Sequence, residues 1–258
     1  MKRLILITFA ALSLCSCSIL SGINWNPEGL ASAAGKAITA ASISDEQIVE
    51  LSRQTVLSLD SQNILASNEY QQRLARLLKG VDQIDGMPVN YKVYKTDEIN
   101  AFACGDGSIR VYSALMDVMS DEELVAIIGH ELGHVTHQDT KKSLKNAYLA
   151  SAARDVVGSA GSYGAMISAL LGDMGEALAS AQFSQAQEYK ADEHGFQFAI
   201  DRGYSSHSME NALNKLLSMA GSSSNSVVAH MFASHPQTEK RIEKMKKAAD
   251  SYDSRSSK

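Results

Sequence analysis

Cysteine is scarce in this chain, which has three cysteines among its 258 residues. Two of them, Cys15 and Cys17, lie close to the amino terminus, and the third is Cys104. A framework of disulfides inside a folded domain is therefore excluded. Cys104 could still be a reactive free thiol or pair with another molecule, but we expect its side chain to be packed in the interior.

Positive charge is also in short supply. The chain has 24 lysines and arginines against 29 aspartates and glutamates, which gives a formal net charge of −5 at pH 7. No stripe of basic residues interrupts this acidic balance, which argues against nucleic acid as a partner. The overall composition, 45% hydrophobic and 21% charged, is typical of a globular protein with a sizeable core.

A hydrophobic run long enough to span a membrane is missing as well. The apolar run from Leu4 to Leu14 is too short for a spanning helix, and because Lys2 and Arg3 precede it, it is typical of a secretory signal peptide. The uncharged segment from Val156 to Gly172 is 17 residues long and interrupted by glycines. These features favour a buried or mobile helical connection over a membrane segment.

The residues that follow the first apolar run indicate a lipid anchor. Ser16 stands directly before Cys17, and Leu14 lies three positions before that cysteine, as in the cleavage site of bacterial lipoproteins. We therefore predict cleavage after Ser16 and lipidation of Cys17, with an ordinary signal peptide as the alternative. Ser18 in place of an aspartate favours the outer membrane.

With this leader, we predict that the chain consists of four parts. Residues 1–16 form the signal peptide, and residues 17–43, rich in alanine, serine and glycine, form a tether from the lipid anchor to the folded body. A single catalytic domain is expected over residues 44–250, followed by a flexible tail at residues 251–258.

Helical patterns predominate in the predicted domain. Ser44 with Gln47, and Ser120 with Glu123, have the spacing of capping boxes at the start of a helix. Further helices are predicted over Tyr70–Leu78, Glu176–Ala199, Ser208–Ala220 and Pro236–Ala249. Short strands are predicted over Val89–Tyr94, Asn100–Ala103 and Ile109–Tyr112. The fold class is therefore α+β and mostly α, with a small sheet of about three strands.

The most informative segment is His130-Glu131-Leu132-Gly133-His134. The two histidines are four residues apart, so that on a helix both imidazoles lie on one face and can share a metal ion. Glu131 lies beside that face, where its carboxylate can act as a general base toward water. An apolar stripe on the same helix would hold both rings rigidly. This pattern is typical of zinc metallopeptidases.

A catalytic zinc ion needs a third protein ligand. Glu188 and Asp192 are candidates, because they are four residues apart on a predicted helix and share a face. We assign Glu188 as the third ligand. Asp192 could accept a hydrogen bond from a ligating imidazole and orient it, or donate or shuttle a proton late in the reaction. The alternative is a pair of solvated acids on a helix surface.

Several segments together resemble one family of zinc metallopeptidases, which includes the heat-shock protease HtpX, the CAAX prenyl endopeptidases and soluble periplasmic members. The resemblance extends over residues 44–247 and the lipidated leader, and it implies a gluzincin-like domain. The matching segments are Asn100–Ala103, Ile109–Ser113, Ile127–His134, Glu188–Asp192 and Ser234–Pro236.

The resemblance also implies a role for each residue of the site. His130, His134 and Glu188 would bind one zinc ion per chain, Glu131 would be the catalytic base, and Asp192 would be the acid that accompanies them on the second helix.

The resemblance further implies how a substrate binds. The segment formed by Asn100, Ala101, Phe102 and Ala103 would be the rim strand of the cleft. A substrate peptide would add to this edge as an extra strand, held mainly by backbone hydrogen bonds.

His235 is the next residue that we place near the zinc. It could stabilise an oxyanion or occupy the metal at rest, and its alternative role is to cap the last helix beside Pro236; Arg241 could support it. His137 does not fit the spacing of a longer histidine motif, and we expect it at the surface or behind the ligands. The remaining histidines are expected to be solvated: His194, His207 and His230.

These inferences lead to a zinc-dependent endopeptidase of the bacterial cell envelope. We expect it to be anchored through Cys17 to the periplasmic face of the outer membrane and to hydrolyse misfolded or unassembled envelope proteins. The alternative is an envelope chaperone or binding module with a zinc site and little turnover. The rim strand argues against a non-peptidase hydrolase, and the intact motif argues against a degenerate enzyme.

Overall fold

The computed structural model describes residues 44–143, 146, 183–222, 228–236 and 239–257. The predicted signal peptide, the lipidation site Cys17, the tether and the Val156–Gly172 segment lie outside these residues. Within the described part of the chain, no helix has the length and apolar character needed to cross a membrane.

Helices make up most of the described structure. The elements follow one another along the chain as α1 (Asp45–Gln62), α2 (Asn68–Leu77), β1 (Gln83–Ile84), β2 (Met87–Pro88), β3 (Asn90–Tyr94), β4 (Ala101–Ala103), β5 (Ser108–Tyr112), α3 (Ser113–Val118), α4 (Asp121–Thr136), α5 (Gln185–Asp201), α6 (Ser208–Ser222), α7 (Ala229–Ser234) and α8 (Glu239–Ser256).

The sheet that borders the site has three strands in the order β3-β5-β4. Strand β3 runs parallel to β5, whereas β4 is antiparallel to it, with Phe102 opposite Arg110. Strand β4 is therefore at the edge of the sheet. The predicted fold class, α+β and mostly α with a small sheet, is confirmed.

A second, two-stranded sheet was not predicted. Strands β1 and β2 form a hairpin around Asp85 and Gly86, which have φ angles of 48° and 79°. An Asp-Gly pair is a strong hairpin signal because both residues tolerate the left-handed region. The signal is present in the sequence, but the strands are too short to show alternation.

Helix α4 carries His130 to His134, the candidate metal-binding motif, and is the central element of the core. All its residues from Glu123 to Val135 are buried. It packs closely on α5 because glycines line the contact: a Cβ on Gly195 would lie 2.5 Å from the Ala126 carbonyl oxygen, and one on Gly133 would lie 2.9 Å from the Cβ of His194. This close approach brings the polar side chains of the two helices together.

Capping residues define where these helices begin. Both predicted capping boxes are present, Ser44 with Gln47 at α1 and Ser120 with Glu123 at α4. Ser184 and Gln187 form a third capping box at α5, and Ser184 has extended backbone. The prediction of one helix running from Glu176 was therefore wrong, since α5 begins at Gln185.

The carboxyl-terminal part also differs from the prediction. Helix α7 was not predicted, and Pro236 follows it instead of lying in the last helix. Helix α8 continues to Ser256 instead of ending near Ala249, so residues 251–256 are helical although a frayed tail was predicted there.

Helix α1 packs on the face of the sheet opposite to α4. The Arg110 side chain of β5 is 1% exposed and donates from Nε and Nη2 to the two carboxylate oxygens of Asp60, at 2.9 and 3.0 Å. Ser52 Oγ accepts a hydrogen bond from the amide of Gly105, two residues after the end of β4. Cys104, which lies between β4 and Gly105, is a buried free cysteine. This confirms the prediction that its side chain is packed in the interior.

Candidate metal centre and its surroundings

The predicted ligands from two helices meet in the core. His130 and His134 project from α4 and their Nε2 atoms are 3.2 Å apart. Glu188, from α5, places Oε1 at 3.4 Å from His134 Nε2 and Oε2 at 3.7 Å from His130 Nε2. All three side chains are buried. The structure therefore brings together the three residues that the sequence assigned as ligands.

His235, which follows α7, belongs to the same cluster. Its Nδ1 atom lies 3.2 Å from His130 Nε2 and 3.1 Å from Glu188 Oε1. Among the described residues, these four side chains form a group whose ligand atoms all lie within 4.8 Å of one another. The predicted position of His235 beside the metal site is thus the one observed.

The spacing of these atoms fits a metal ion. An ion that binds four ligand atoms tetrahedrally at about 2.1 Å holds them about 3.4 Å apart. The shortest separations within the cluster, from 3.1 Å between His235 and Glu188 to 3.4 Å between His134 and Glu188, are close to this value, and all its ligand atoms lie within 4.8 Å of one another. Imidazole nitrogens and a carboxylate are also the donors that divalent transition metals prefer. The residues present can therefore hold such an ion.

The edge strand β4 lies next to the cluster. Ala101 to Ala103 and the preceding Asn100 line a cavity that also includes Glu131, His134 and His235. The Asn100 carbonyl accepts from the Tyr112 amide at 3.0 Å, and the Cys104 amide donates to the Ser108 carbonyl at 2.8 Å. Because successive residues of a strand point their backbone groups to opposite sides, Ala101 and Ala103 turn theirs toward the open edge.

The comparison with protein families supports the interpretation of this cluster as a metal centre. Residues 65–249 match the model of Peptidase family M48. The chain belongs to this family. It is 38% identical over 231 residues to Metalloprotease LoiP of Escherichia coli (strain K12), a match that covers 88% of this chain and 90% of LoiP.

Two further relatives support the assignment. Metalloprotease YcaL of Escherichia coli (strain K12) is 36% identical over 247 residues, which covers 94% of both chains. A Protease HtpX homolog of Thermococcus sibiricus (strain DSM 12597 / MM 739) is 25% identical over 233 residues, covering 76% of this chain and 80% of that protein. The protein is thus a metalloprotease of family M48, as the resemblance implied.

Asp192 and Arg241 form a salt bridge and contact the candidate metal ligands of this M48 peptidase. His130 Nδ1 lies 2.9 Å from Asp192 Oδ1, so Asp192 occupies the position that orients the ring. Arg241 donates from Nη2 and Nε to the two oxygens of Asp192, at 2.6 and 2.7 Å. Its Nη1 atom is also 2.5 Å from Glu188 Oε2. Arg241 therefore links both acids of α5, a wider role than the support of His235 that the sequence suggested.

Two residues that contact His134 were missed by the sequence analysis. Asp139 Oδ2 lies 3.0 Å from His134 Nδ1, the same arrangement that Asp192 makes with His130. Phe183 stacks on the His134 ring, with ring centroids 3.9 Å apart. An acid shortly after the second histidine was the available signal for Asp139. The sequence held no comparable signal for Phe183.

We expect Asp139→Ala to weaken metal binding by about 10- to 100-fold, because the His134 ring loses the partner that fixes its orientation. The affinity should be measured by competition with a metal-binding dye, which reports on the site without requiring turnover. Asp97→Ala, at an exposed loop position, is the control and should bind metal like the wild type. Equal affinities in both variants would contradict a positioning role for Asp139.

The surroundings of the cluster shift the pKa values of its candidate ligands. Burial would raise the pKa of Glu188, but hydrogen bonds to His134 and His235 outweigh it and lower the pKa. Burial lowers the pKa of His130 to about 4 despite its contact with Asp192. For His134, burial acts in the same direction, but Asp139 and Glu188 raise its pKa. Glu188 is therefore ionised at neutral pH and His130 is a neutral ring, the forms in which both residues bind metals.

Glu131 is positioned apart from the ligand atoms. It is buried, its Oε1 atom lies 3.6 Å from His235 Nε2, and the backbone of Ala103 hydrogen-bonds to it. Burial raises the pKa of Glu131 to about 7, although the charge of His235 acts in the opposite direction. A carboxyl group with a pKa near neutrality is suited to accepting and returning a proton.

The other histidines lie outside the cluster. His137 is half-buried at the end of α4, in line with the prediction. The expectation that His194 is solvated was wrong: it is half-buried, and its Nδ1 atom lies 2.6 Å from the Gly129 carbonyl oxygen. His207 is partly exposed and pairs with Glu210. The side chain of His230 is outside the described residues.

Proposed function

We propose that this M48 metalloprotease is a zinc-dependent endopeptidase of the bacterial cell envelope that hydrolyses misfolded or unassembled envelope proteins. The observation that carries the proposal is the buried cluster of His130, His134, Glu188 and His235, with Glu131 beside it and an edge strand along it. Zinc is the metal we favour, because it adopts tetrahedral geometry with nitrogen and oxygen ligands.

A zinc ion held by His130, His134 and Glu188 would supply a Lewis acid that polarises the substrate carbonyl and lowers the pKa of water. Glu131 then takes the proton of the attacking water and passes it to the leaving amide nitrogen. Asp192 keeps the His130 ring in place during this sequence, so in our proposal it acts by positioning and does not transfer protons.

We assign His235 two tasks. In the observed arrangement its Nδ1 atom completes the cluster, so His235 would be the fourth residue to hold the ion at rest. Its Nε2 atom already faces Glu131, at 3.6 Å. During turnover, the ring would donate a hydrogen bond to the developing oxyanion.

Substrates would bind by strand addition to the rim formed by Asn100, Ala101, Phe102 and Ala103. The outward N–H and carbonyl of Ala101 and the outward carbonyl of Ala103 provide hydrogen-bonding partners for an extended peptide, while the Ala103 N–H contacts Glu131. A folded protein has few extended segments free to pair in this way. We therefore infer a preference for unfolded or unassembled proteins over native ones.

The test of this function uses an unfolded outer-membrane protein and the same protein in its folded form. We expect one zinc per chain by elemental analysis, cleavage of the unfolded substrate, loss of cleavage with a chelator, and recovery with zinc. Suppressed aggregation without any fragments would overturn the proposal in favour of a holding module. Rapid cleavage of the folded form would overturn the substrate assignment.

The envelope location rests on the leader of the chain. We expect labelled palmitate to enter the wild-type protein in bacterial cells and to be absent from Cys17→Ser, because only a cysteine at the cleavage site is lipidated. Cys15→Ser is the matched control and should keep the label. Label in Cys17→Ser, or its loss in Cys15→Ser, would contradict lipidation at Cys17.

A further inference from the structure

Helix α1 contributes to the cleft although it precedes the segment that matches the family model. That match begins at residue 65, after α1 has ended. Thr55 and Leu59 of α1 nevertheless line the same cavity as the rim strand and Glu131. A helix outside the matched segment therefore reaches the candidate active site.

The contacts of α1 show which face of the rim strand it covers. Phe102 of β4 and Arg110 of β5 are cross-strand partners, so their side chains lie on the same face of the sheet. Arg110 is the residue that forms the salt bridge with Asp60 of α1. The neighbouring residues Ala101 and Val111 are buried in the core on the other face, which α4 covers. Helix α1 thus faces Phe102.

A peptide added to β4 would present its side chains alternately to these two faces. Those on the face of Ala101 would point toward α4 and the metal cluster. Those on the face of Phe102 would meet Thr55 and Leu59. We propose that α1 is the outer wall of the substrate cleft and that Leu59 limits the size of the substrate side chains on this face. The proposal deepens the proposed function and rests on it.

The size of the cavity and the rigidity of the wall set the expected selectivity. The cavity that Leu59 shares with the rim strand, Glu131 and His235 is small, with a volume of about 30 Å³. Helix α1 is held against the sheet at two points. One is the Ser52–Gly105 hydrogen bond, and the other is the set of hydrogen bonds from Lys92 and Arg110 to Asp60. We therefore expect small substrate side chains to be preferred at the position that faces Leu59.

The test is cleavage-site profiling with a peptide library, using wild type, Leu59→Ala and Leu57→Ala. Leu57 lies on the same helix but is 54% exposed, which makes it the matched control. We expect wild type and Leu57→Ala to accept only small residues at the position facing α1. Leu59→Ala should accept leucine or phenylalanine there, with kcat/KM for such peptides raised about tenfold or more. The adjacent positions, which face α4, should keep their preferences.

Metal content and thermal unfolding should be recorded for each variant, with Leu59→Val as a smaller change that gives a smaller shift if the alanine variant is unstable. Unchanged profiles in the Leu59 variants would overturn the proposal, as would equal changes at every position. A wild-type protein that cleaves no peptide, in contrast, would count against the proposed function and not against the position of α1.

Discussion

Replacing Glu131 by glutamine should lower peptide hydrolysis by about a thousandfold or more while leaving the metal in place. Glutamine has nearly the same shape as glutamate, but its amide cannot accept the proton of the attacking water. General base catalysis alone contributes about 10²- to 10⁴-fold to such reactions. The four atoms of the metal cluster come from other residues, so the exchange leaves every candidate ligand intact.

The measurement combines zinc analysis with hydrolysis of an unfolded protein. Glu122→Gln, in the first turn of the same helix, is the control for a lost carboxylate and should retain full activity. Retained hydrolysis by Glu131→Gln would remove this residue from the mechanism. An inactive variant that still binds zinc can then serve as a trap, because envelope proteins held in its cleft can be identified by mass spectrometry.

The parts of the site that lie within one helix could be predicted from the sequence. His130 and His134 share a face because their spacing matches the helical period, and the Ser120–Glu123 capping box marks where that helix begins. Glu188 could be added because a second acid pair at helical spacing offered the missing ligand. Spacing along a helix is local information, and the sequence contains it directly.

Contacts between distant elements could not be predicted in the same way. Arg241 joins Glu188 and Asp192 across two helices, and Phe183 stacks on His134 from the residue before the capping serine of α5. These pairings depend on how closely α4 and α5 approach, which the glycines of the contact permit. Glycine in a helix has several roles, so its presence alone did not indicate this one. The interior contact of His194 was missed for the same reason.

Helix α1 shows most clearly which contacts could not be predicted from the sequence. Its capping box predicted that a helix begins here, and the structure confirms this. Nothing in its own pattern showed that Leu59 would line the cleft, because that depends on the salt bridge between Asp60 and a buried arginine fifty positions later. An arginine inside a predicted strand was the one indication that a buried partner existed.

Replacing Glu188 by glutamine should abolish stoichiometric zinc binding, and activity should disappear with the metal. The amide is a weaker ligand than the carboxylate, and the cluster loses its negative charge. Arg241, which is 1% exposed, would also lose one of its two ion-pair partners among the described residues and keep Asp192. We therefore expect the metal-free protein to lose about 2 kcal/mol of stability in urea unfolding, because the buried guanidinium is less well compensated.

Glu193 lies on the same helix as Glu188, but its side chain is 57% exposed. Glu193→Gln is therefore the matched control for this change. It should bind zinc and hydrolyse peptides like the wild type. If Glu188→Gln bound zinc with undiminished affinity, Glu188 would not be a ligand, and a fourth donor would have to be sought beside His235. The pair of glutamine variants separates two functions of the cluster: without Glu131 the protein should keep its metal and lose turnover, whereas without Glu188 it should lose both.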